Sequence, residues 1–112
     1  MKESPIFTKT FDLLAWLLPA TLKFPREHRF VLAQRVQNSA FNFYESITAA
    51  SLSKQPEPHL QQADIDLQRL RLYLWLCQRL QFFNKGQYEH VSLMMEETGK
   101  LLGGWRKKRN DI

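Results

Sequence analysis

Apolar residues recur three and four positions apart along most of this chain, which is the periodicity of an amphipathic α-helix. Four such stretches occur, and the segments between them contain proline, glycine or polar residues. We therefore predict helices over about 5–18, 25–53 and 59–82, and a fourth from Asn84 to a stop near Gly103. No stretch has the alternation of apolar and polar residues that is typical of a half-buried β-strand.

Three of the predicted helices begin with a recognisable signal. Ser4 can cap free N–H groups, and Pro5 fits the first helical position because no hydrogen bond is lost there. Pro25 favours the start of the second helix for the same reason. Asn84 and Gln87 have the spacing of a capping box, in which each side chain accepts a hydrogen bond from the other residue's backbone N–H.

The predicted helix ends rest on proline and glycine. Pro19 is expected to end the first helix, and the prolines in the segment 54–58 make this the clearest turn in the chain. Gly103 and Gly104 are adjacent, and glycine is common just past the end of a helix. We therefore expect the fourth helix to stop at this pair.

Each predicted helix carries an apolar stripe that would face a common core. In chain order the stripes are Phe7, Phe11, Leu14 and Leu18 with Leu13 and Leu17 beside them; Ala33, Val36, Ala40, Phe43, Ile47 and Ala50; Ala63, Leu67, Leu70, Leu74 and Cys77; and Tyr88, Val91, Met95, Thr98, Leu102 and Trp105. Helices joined by short connectors pack antiparallel to their neighbours. We predict an all-α, up-down-up-down antiparallel four-helix bundle over residues 1–105 and a basic tail over 106–112.

The third helix has more apolar surface than one core requires. A second stripe contains Ile65, Leu72, Tyr73, Leu76 and Leu80, and Trp75 lies on the remaining polar strip. A large exposed apolar area usually marks an interface. We predict an oligomer interface at Leu72, Tyr73, Trp75 and Leu76; the alternative is that this helix is central and flanked on two sides.

Length and cysteine usage limit the class of protein. At 112 residues the chain has enough mass for one hydrophobic core. Cys77 is the single cysteine and lies in an apolar run, so we expect a reduced, buried thiol and a cytosolic location. The apolar run near 11–18 is too short for a membrane span, and the polar residues before it do not resemble a signal peptide.

The sequence offers little for catalysis. Its four glycines form no phosphate-binding loop, and His28, His59 and His90 have no second ligand at metal-site spacing. Asp64 and Asp66 would point to different sides of a helix, since only residues three or four apart are neighbours. We therefore predict a protein that is not an enzyme and that has no metal and no cofactor.

The remaining functional signal in the sequence is its basic charge. The formal net charge is +5, and Arg106, Lys107, Lys108 and Arg109 are consecutive. Two further groups are Arg69, Arg71 and Arg79 in the third helix, and Lys23, Arg26, Arg29 and Arg35 around the start of the second. Such groups bind nucleic acid, an acidic protein or a membrane surface, but each arginine can equally be a solvated residue paired with a nearby carboxylate.

Several segments resemble those of a known family. They are 4–14 (SPIFTKTFDLL), 23–26 (KFPR) with Arg29-Phe30, 70–74 (LRLYL), and 87–90 (QYEH) with Gly99 and 101–105 (LLGGW). Together they resemble the accessory variability determinant of diversity-generating retroelements over nearly the whole chain. They resemble more loosely the four-helix proteins encoded within intervening sequences of large ribosomal RNA genes.

The resemblance implies a four-helix protomer that assembles into a homopentamer and binds the retroelement's reverse transcriptase. It also implies contact with template-repeat RNA and DNA during adenine-mutagenic cDNA synthesis, with polymerisation done by the partner. Arg71, in the segment 70–74, matches an exposed basic position of the family. The chain departs from the family pattern at Trp75, where a basic residue is expected.

We therefore predict a non-catalytic accessory protein that binds a reverse transcriptase and its nucleic acid. The predicted contact residues are Arg71, Arg79, Arg69, Arg26, Arg29, Arg106, Lys107 and Arg109. Two alternatives are a ribosomal-RNA intervening-sequence type of four-helix protein and a module that binds only proteins. No membrane partner is expected.

Overall fold

The computed structural model describes residues 4–110, with side chains to residue 108, and every regular element in this range is helical. Helix α1 is Pro5–Thr21, α3 is Glu57–Arg79 and α4 is Lys85–Asn110. Helix α2 has three parts: a short α-helical turn Arg26–His28, a π-helical turn Arg29–Ala33 and a long α-helical part Gln34–Leu52. The predicted all-α class and the four helices are confirmed, and no strand occurs within 4–110.

One hydrophobic core joins all four helices. The predicted stripes of α2 and α3 are confirmed in full, since every one of their residues is buried. In the α4 stripe, Val91, Met95, Thr98 and Leu102 are buried, and Tyr88 and Trp105 pack at its edge. Each fully buried large apolar side chain stabilises the fold by roughly 1.5–3 kcal/mol relative to an exposed one.

Contacts between helix ends define how the helices lie. The start of α1 lies against the end of α4, where the rings of Phe7 and Trp105 have centroids 6.4 Å apart. The end of α1 lies against the start of α4, where Trp16 and His90 have ring centroids 5.5 Å apart. Between these two contacts, Lys9 Nζ is 3.4 Å from Glu97 Oε1.

The stripe predicted for α1 is partly wrong. Phe11 is 62% exposed, whereas Ile6, Thr10, Leu13 and Leu17 are buried. The α1 sequence is apolar on several sides, so periodicity alone does not decide which side packs. Packing against α2 and α4 selects the side that contains Thr10, whose hydroxyl donates a 2.6 Å hydrogen bond to the Ile6 carbonyl and so is satisfied when buried.

Both ends of α1 also differ from the prediction. Pro5 occupies the first turn as expected, but the Ser4 side chain makes no capping hydrogen bond. Pro19 does not end the helix, which continues to Thr21. A proline in a helix lacks the hydrogen bond to the carbonyl four residues earlier and crowds that carbonyl, and here the carbonyl belongs to the exposed Ala15.

Helix α3 ends in a capping motif that the sequence pattern does not predict. Gln81 has φ 64°, in the left-handed region. The N–H of Gln81 donates to the Gln78 carbonyl and that of Phe82 to the Cys77 carbonyl, each at 2.9 Å. This pair of bonds is the Schellman motif, with glutamine at the position that usually holds glycine. The helix therefore ends at Arg79 rather than near Phe82.

Helix α4 begins as predicted and ends later. Gln87 N–H donates to Asn84 Oδ1 at 2.8 Å, and Asn84 N–H donates to Gln87 Oε1 at 2.9 Å, which confirms the capping box. The predicted stop at Gly103 and Gly104 is wrong, because α4 continues through both to Asn110. Residues 106–110, expected in a separate tail, belong to this helix.

Candidate nucleic-acid and partner-binding surface

The predicted basic residues lie on three parts of the surface. The exposed ones are Arg26 and Arg29 at the start of α2, Arg69, Arg71 and Arg79 on α3, and Lys107 near the end of α4. Arg106 is only partly exposed. The side chain of Arg109 lies outside the described residues. The structure therefore brings Arg69, Arg71 and Arg79 onto one helix but leaves Arg26 and Arg29 at the separate corner between α1 and α2.

Arg71 is exposed and held in place. Its Nη1 donates to Gln68 Oε1 at 3.0 Å. It lines a groove of about 390 Å³ between α3 and α4, with Tyr88, Ser92 and Glu96 on the opposite side. The guanidinium makes no ion pair within the described residues, so its charge is available to an anion at the surface.

Arg79 is arranged by Trp75. The guanidinium carbon lies 5.6 Å from the centroid of the indole ring, a cation–π geometry, and both side chains are exposed. The resemblance described above led us to expect a basic residue at position 75, where this chain has Trp75. In this chain it positions the next basic side chain of α3 instead of supplying a charge.

Arg69 differs from Arg71 because a buried carboxylate lies beside it. Asp66 is 2% exposed, and its Oδ1 is 3.9 Å from Arg69 Nη1. Asp66 also accepts hydrogen bonds of 3.1 Å from Ser46 and Gln62, so its buried oxygens are satisfied. The charge of Arg69 is therefore partly offset within the protein.

Arg106 forms an ion pair across two helices. Its Nη2 is 2.8 Å from Glu57 Oε2 and its Nη1 is 3.6 Å from Asp64 Oδ2. The hydrogen bond that Arg106 donates to Glu57 raises the pKa of Arg106, and this effect outweighs the opposite effect of desolvation. Arg106 thus links the last turns of α4 to the first turns of α3. Among the predicted binding residues, its charge is the one most fully offset by carboxylates within the protein.

The second stripe of α3 faces away from the core. Leu72 is 60% exposed, Trp75 49% and Leu76 43%, and Tyr73 is half-buried. Ile65 and Leu80 are also exposed and extend the stripe in both directions. We call these six residues the outer face of α3. Tyr73 packs against the core and accepts a 3.5 Å hydrogen bond from Arg35 of α2, but the other five side chains are exposed within the described residues. The alternative, in which flanking helices account for the second stripe, is therefore wrong.

A second apolar and basic surface lies where α1 meets α2, and sequence reasoning missed its aromatic part. We call it the corner groove: a depression of about 430 Å³ lined by Thr21, Leu22, Arg26, Arg29, Phe30, Ala33, Gln34 and Gln37. Phe30 is 82% exposed. It lies three positions before Ala33, and periodicity would assign it to the core. The π-helical turn Arg29–Ala33 changes the phase of the helix here, so Leu32 is buried beside Ala33 while Phe30 faces solvent.

The described residues contain no cluster of three or more His, Cys, Asp or Glu side chains placed to hold a metal ion. Cys77 is buried, and desolvation raises the pKa of its thiol to about 12. A thiol with that pKa is a poor nucleophile near neutral pH. Within 4–110, no helix is long and apolar enough to cross a membrane.

A model of a known protein family matches most of the chain. The model of a family described as bAvd-like matches residues 6–109, which includes all of α2 and α3 and nearly all of α1 and α4. No curated protein matches the chain.

Proposed function

Because the chain belongs to the bAvd-like family, we propose that it is a non-catalytic accessory protein of a diversity-generating retroelement. In this role it binds the element's reverse transcriptase and nucleic acid in the cytosol and supports adenine-mutagenic cDNA synthesis and retrohoming. The partner carries out polymerisation. The observation that carries the proposal is the family match over nearly the whole chain, and exposed guanidinium groups on rigid helices supply suitable contact chemistry.

The bundle in this proposal has up-down-up-down antiparallel topology. Contacts between the start of α1 and the end of α4, and between the end of α1 and the start of α4, support opposite directions for these two helices. The Arg106–Glu57 pair supports the same relation between α3 and α4. This arrangement leaves one side of α3 directed outward along most of its length.

Nucleic acid binds through Arg71 and Arg79 on α3 and through Arg26 and Arg29 on α2. Arginine on a helix can form two parallel hydrogen bonds to a phosphate, and Gln68 and Trp75 hold the two α3 guanidinium groups in position. Arg106 contributes less, because Glu57 and Asp64 already neutralise it. Affinity should fall steeply with salt, since binding releases counterions from the phosphates.

A charge-reversal series tests this contact. Arg71→Glu and Arg79→Glu should each weaken binding of the template-repeat RNA in fluorescence anisotropy, and each should reduce the slope of log affinity against log salt by about 0.7–0.9 or more. Lys54→Glu is the matched control, because it makes the same charge change at an exposed residue between α2 and α3. Equal affinities for all three variants, or an affinity that does not change with salt, would contradict nucleic-acid contact.

Reverse-transcriptase binding needs a separate measurement. The tagged protein should retain the enzyme after nuclease digestion, and it should increase cDNA yield from template-repeat RNA in a reconstituted reaction. Retention combined with no binding of RNA or DNA would favour the alternative of a purely protein-binding module. No retention and no effect on cDNA yield would overturn the proposal.

Assembly into a homo-oligomer, which the family resemblance suggests is a pentamer, would use the outer face of α3. Leu72, Trp75 and Leu76 give this face the exposed apolar area that a self-association surface requires. Light scattering after size exclusion should show several protomers for the parent and fewer for Leu72→Glu. Leu93→Glu is the control, because Leu93 on α4 is 62% exposed and Leu72 is 60% exposed. A parent protein that is monomeric would refute this part of the proposal.

A further inference from the structure

The corner groove combines an open aromatic ring with cationic walls. Phe30 is 82% exposed, so nearly the whole ring is in contact with solvent. Leu22, at 64% exposure, lies on the same groove and widens its apolar surface. An aromatic ring left in water on a rigid helix is a typical platform for a flat partner, because stacking covers one face of the ring without requiring an enclosed pocket.

The charges around the groove are of one sign. Arg26 and Arg29 line it, both are exposed, and neither has an ion-pair partner within the part of the chain that the structure describes. None of the side chains that line the groove is acidic. Glu27, on the same turn, is the only acidic residue between positions 13 and 44. The groove therefore favours an occupant that carries negative charge beside a flat apolar part.

Polar groups also line the groove. Gln37 Nε2 donates to Thr21 Oγ1 at 2.8 Å, and Thr21 Oγ1 donates to the Leu18 carbonyl at 3.1 Å. This chain of hydrogen bonds fixes the Gln37 side chain. Gln34 adds a second, exposed amide to the lining. Amide groups donate and accept, so they can meet the edge of a heterocyclic base but offer no particular affinity for an aliphatic side chain.

We propose that the corner groove binds one unpaired nucleotide of a single-stranded nucleic acid. The base stacks on Phe30, and Arg26 and Arg29 hold the phosphates on its two sides. This inference rests on the proposed nucleic-acid binding and identifies the strand form that this part of the surface takes. A volume of about 430 Å³ lies within the range of roughly 300–1,000 Å³ that is typical of small-ligand sites.

The open geometry favours a single strand over two other anionic occupants. In a duplex the bases stack on each other, so their faces cannot reach Phe30. An acidic peptide could pair with the two arginines, but an aliphatic side chain gains little on a ring that is open to water on most sides. A splayed base gains stacking on that ring, and its neighbouring phosphates match the guanidinium groups.

The test compares three probes and two aromatic variants of the full chain. The probes are a ten-nucleotide single-stranded oligoadenylate, an abasic backbone of equal length and charge, and a duplex of the same length. Phe30→Ala should weaken binding of the oligoadenylate roughly five- to a hundredfold, and Phe30→Trp should keep or increase the affinity. The abasic strand and the duplex should bind both variants as they bind the parent. Phe11→Ala is the matched control, because Phe11 is 62% exposed on α1 and does not line the groove.

The outcomes separate this inference from the proposed function. If Phe30→Ala leaves oligoadenylate affinity unchanged while Arg71→Glu still weakens RNA binding, the groove assignment is overturned and the proposed function stands. If Phe30→Ala weakens capture of the reverse transcriptase but not of the oligonucleotide, the occupant is a protein segment and the inference is wrong. If the parent binds no single strand even at low salt, both proposals fail in their nucleic-acid part.

Discussion

The glycine pair near the end of α4 gives the sharpest test of the structure against the sequence pattern. In the structure Gly103 and Gly104 are helical, exposed and free of positive φ. A Cβ added at either position meets nothing within 4 Å. Glycine in a helix interior is about 0.8–1.0 kcal/mol less favourable than alanine. The double substitution Gly103→Ala with Gly104→Ala should therefore raise the free energy of unfolding by about 2 kcal/mol.

Urea unfolding followed by circular dichroism at 222 nm measures this gain. Thermal unfolding should show a midpoint about 8 °C higher, taking about 4 °C per kcal/mol for a domain near 100 residues. The parent and the variants must be compared at one protomer concentration, because assembly makes the midpoint concentration-dependent. Gly86→Ala is the control: Gly86 lies in the first turn of α4, where the helix-propensity gain is small.

A loss of stability in the double variant would refute the reasoning. It would mean that one glycine adopts the left-handed conformation of a helix stop, which alanine enters only with strain. The helix would then end where the sequence pattern predicts, and residues 106–110 would form a separate tail. An unchanged stability would show that the end of α4 is not helical in solution.

Three further predictions concern other parts of the molecule. Arg106→Gln should lower the free energy of unfolding by about 0.5–1 kcal/mol, since the ion pair with Glu57 is partly exposed, and Lys107→Gln should leave it unchanged in the same urea titration. Gln81→Gly should raise it by about 1 kcal/mol by removing left-handed strain; a decrease would exclude the positive φ. Cys77 should react with a thiol reagent at pH 7 far more slowly in the native protein than in urea, because burial raises its pKa to about 12; equal rates would show an accessible thiol.

Much of the fold could be predicted because the core depends on periodicity. In α2, residues from Ala33 to Ala50 alternate steps of three and four, and only a helix brings all of them to one side. The capping box of α4 was also predictable, since its two hydrogen bonds are local and depend only on Asn84 and Gln87.

Helix ends were predicted less well, because proline and glycine allow a helix to end but do not force it to. Pro19 is tolerated in the last turn of α1, where only one hydrogen bond is lost. Gly104 has no packing requirement and remains helical, while Gln81, a residue with no turn preference, takes the left-handed position after α3. Phe82, which follows Gln81, packs on Phe24 with ring centroids 5.2 Å apart, so tertiary packing determines this helix end.

For the candidate binding surface, too, the sequence predicted some features and the tertiary structure decided others. The positions of Arg71 and Arg79 on one helix follow from their spacing in the sequence. Whether each charge is available does not: Arg106 is paired with residues 49 and 42 positions earlier, and only the packing of α4 on α3 brings them together. The exposure of Phe30 could not be predicted, because its position fits the core stripe. One π-helical turn moves the ring to the surface.

By itself, the sequence determined four amphipathic helices, their main core stripes, a basic character and the resemblance to one family. These follow from the order of residue types over short distances, since periodicity, capping and motif spacing are local properties. Only the tertiary structure decided which side of α1 is buried, which cations are neutralised and which aromatic ring is left in solvent. Those outcomes depend on contacts between residues far apart in the chain, and the free energy of packing selects among alternatives that local preferences leave nearly equal.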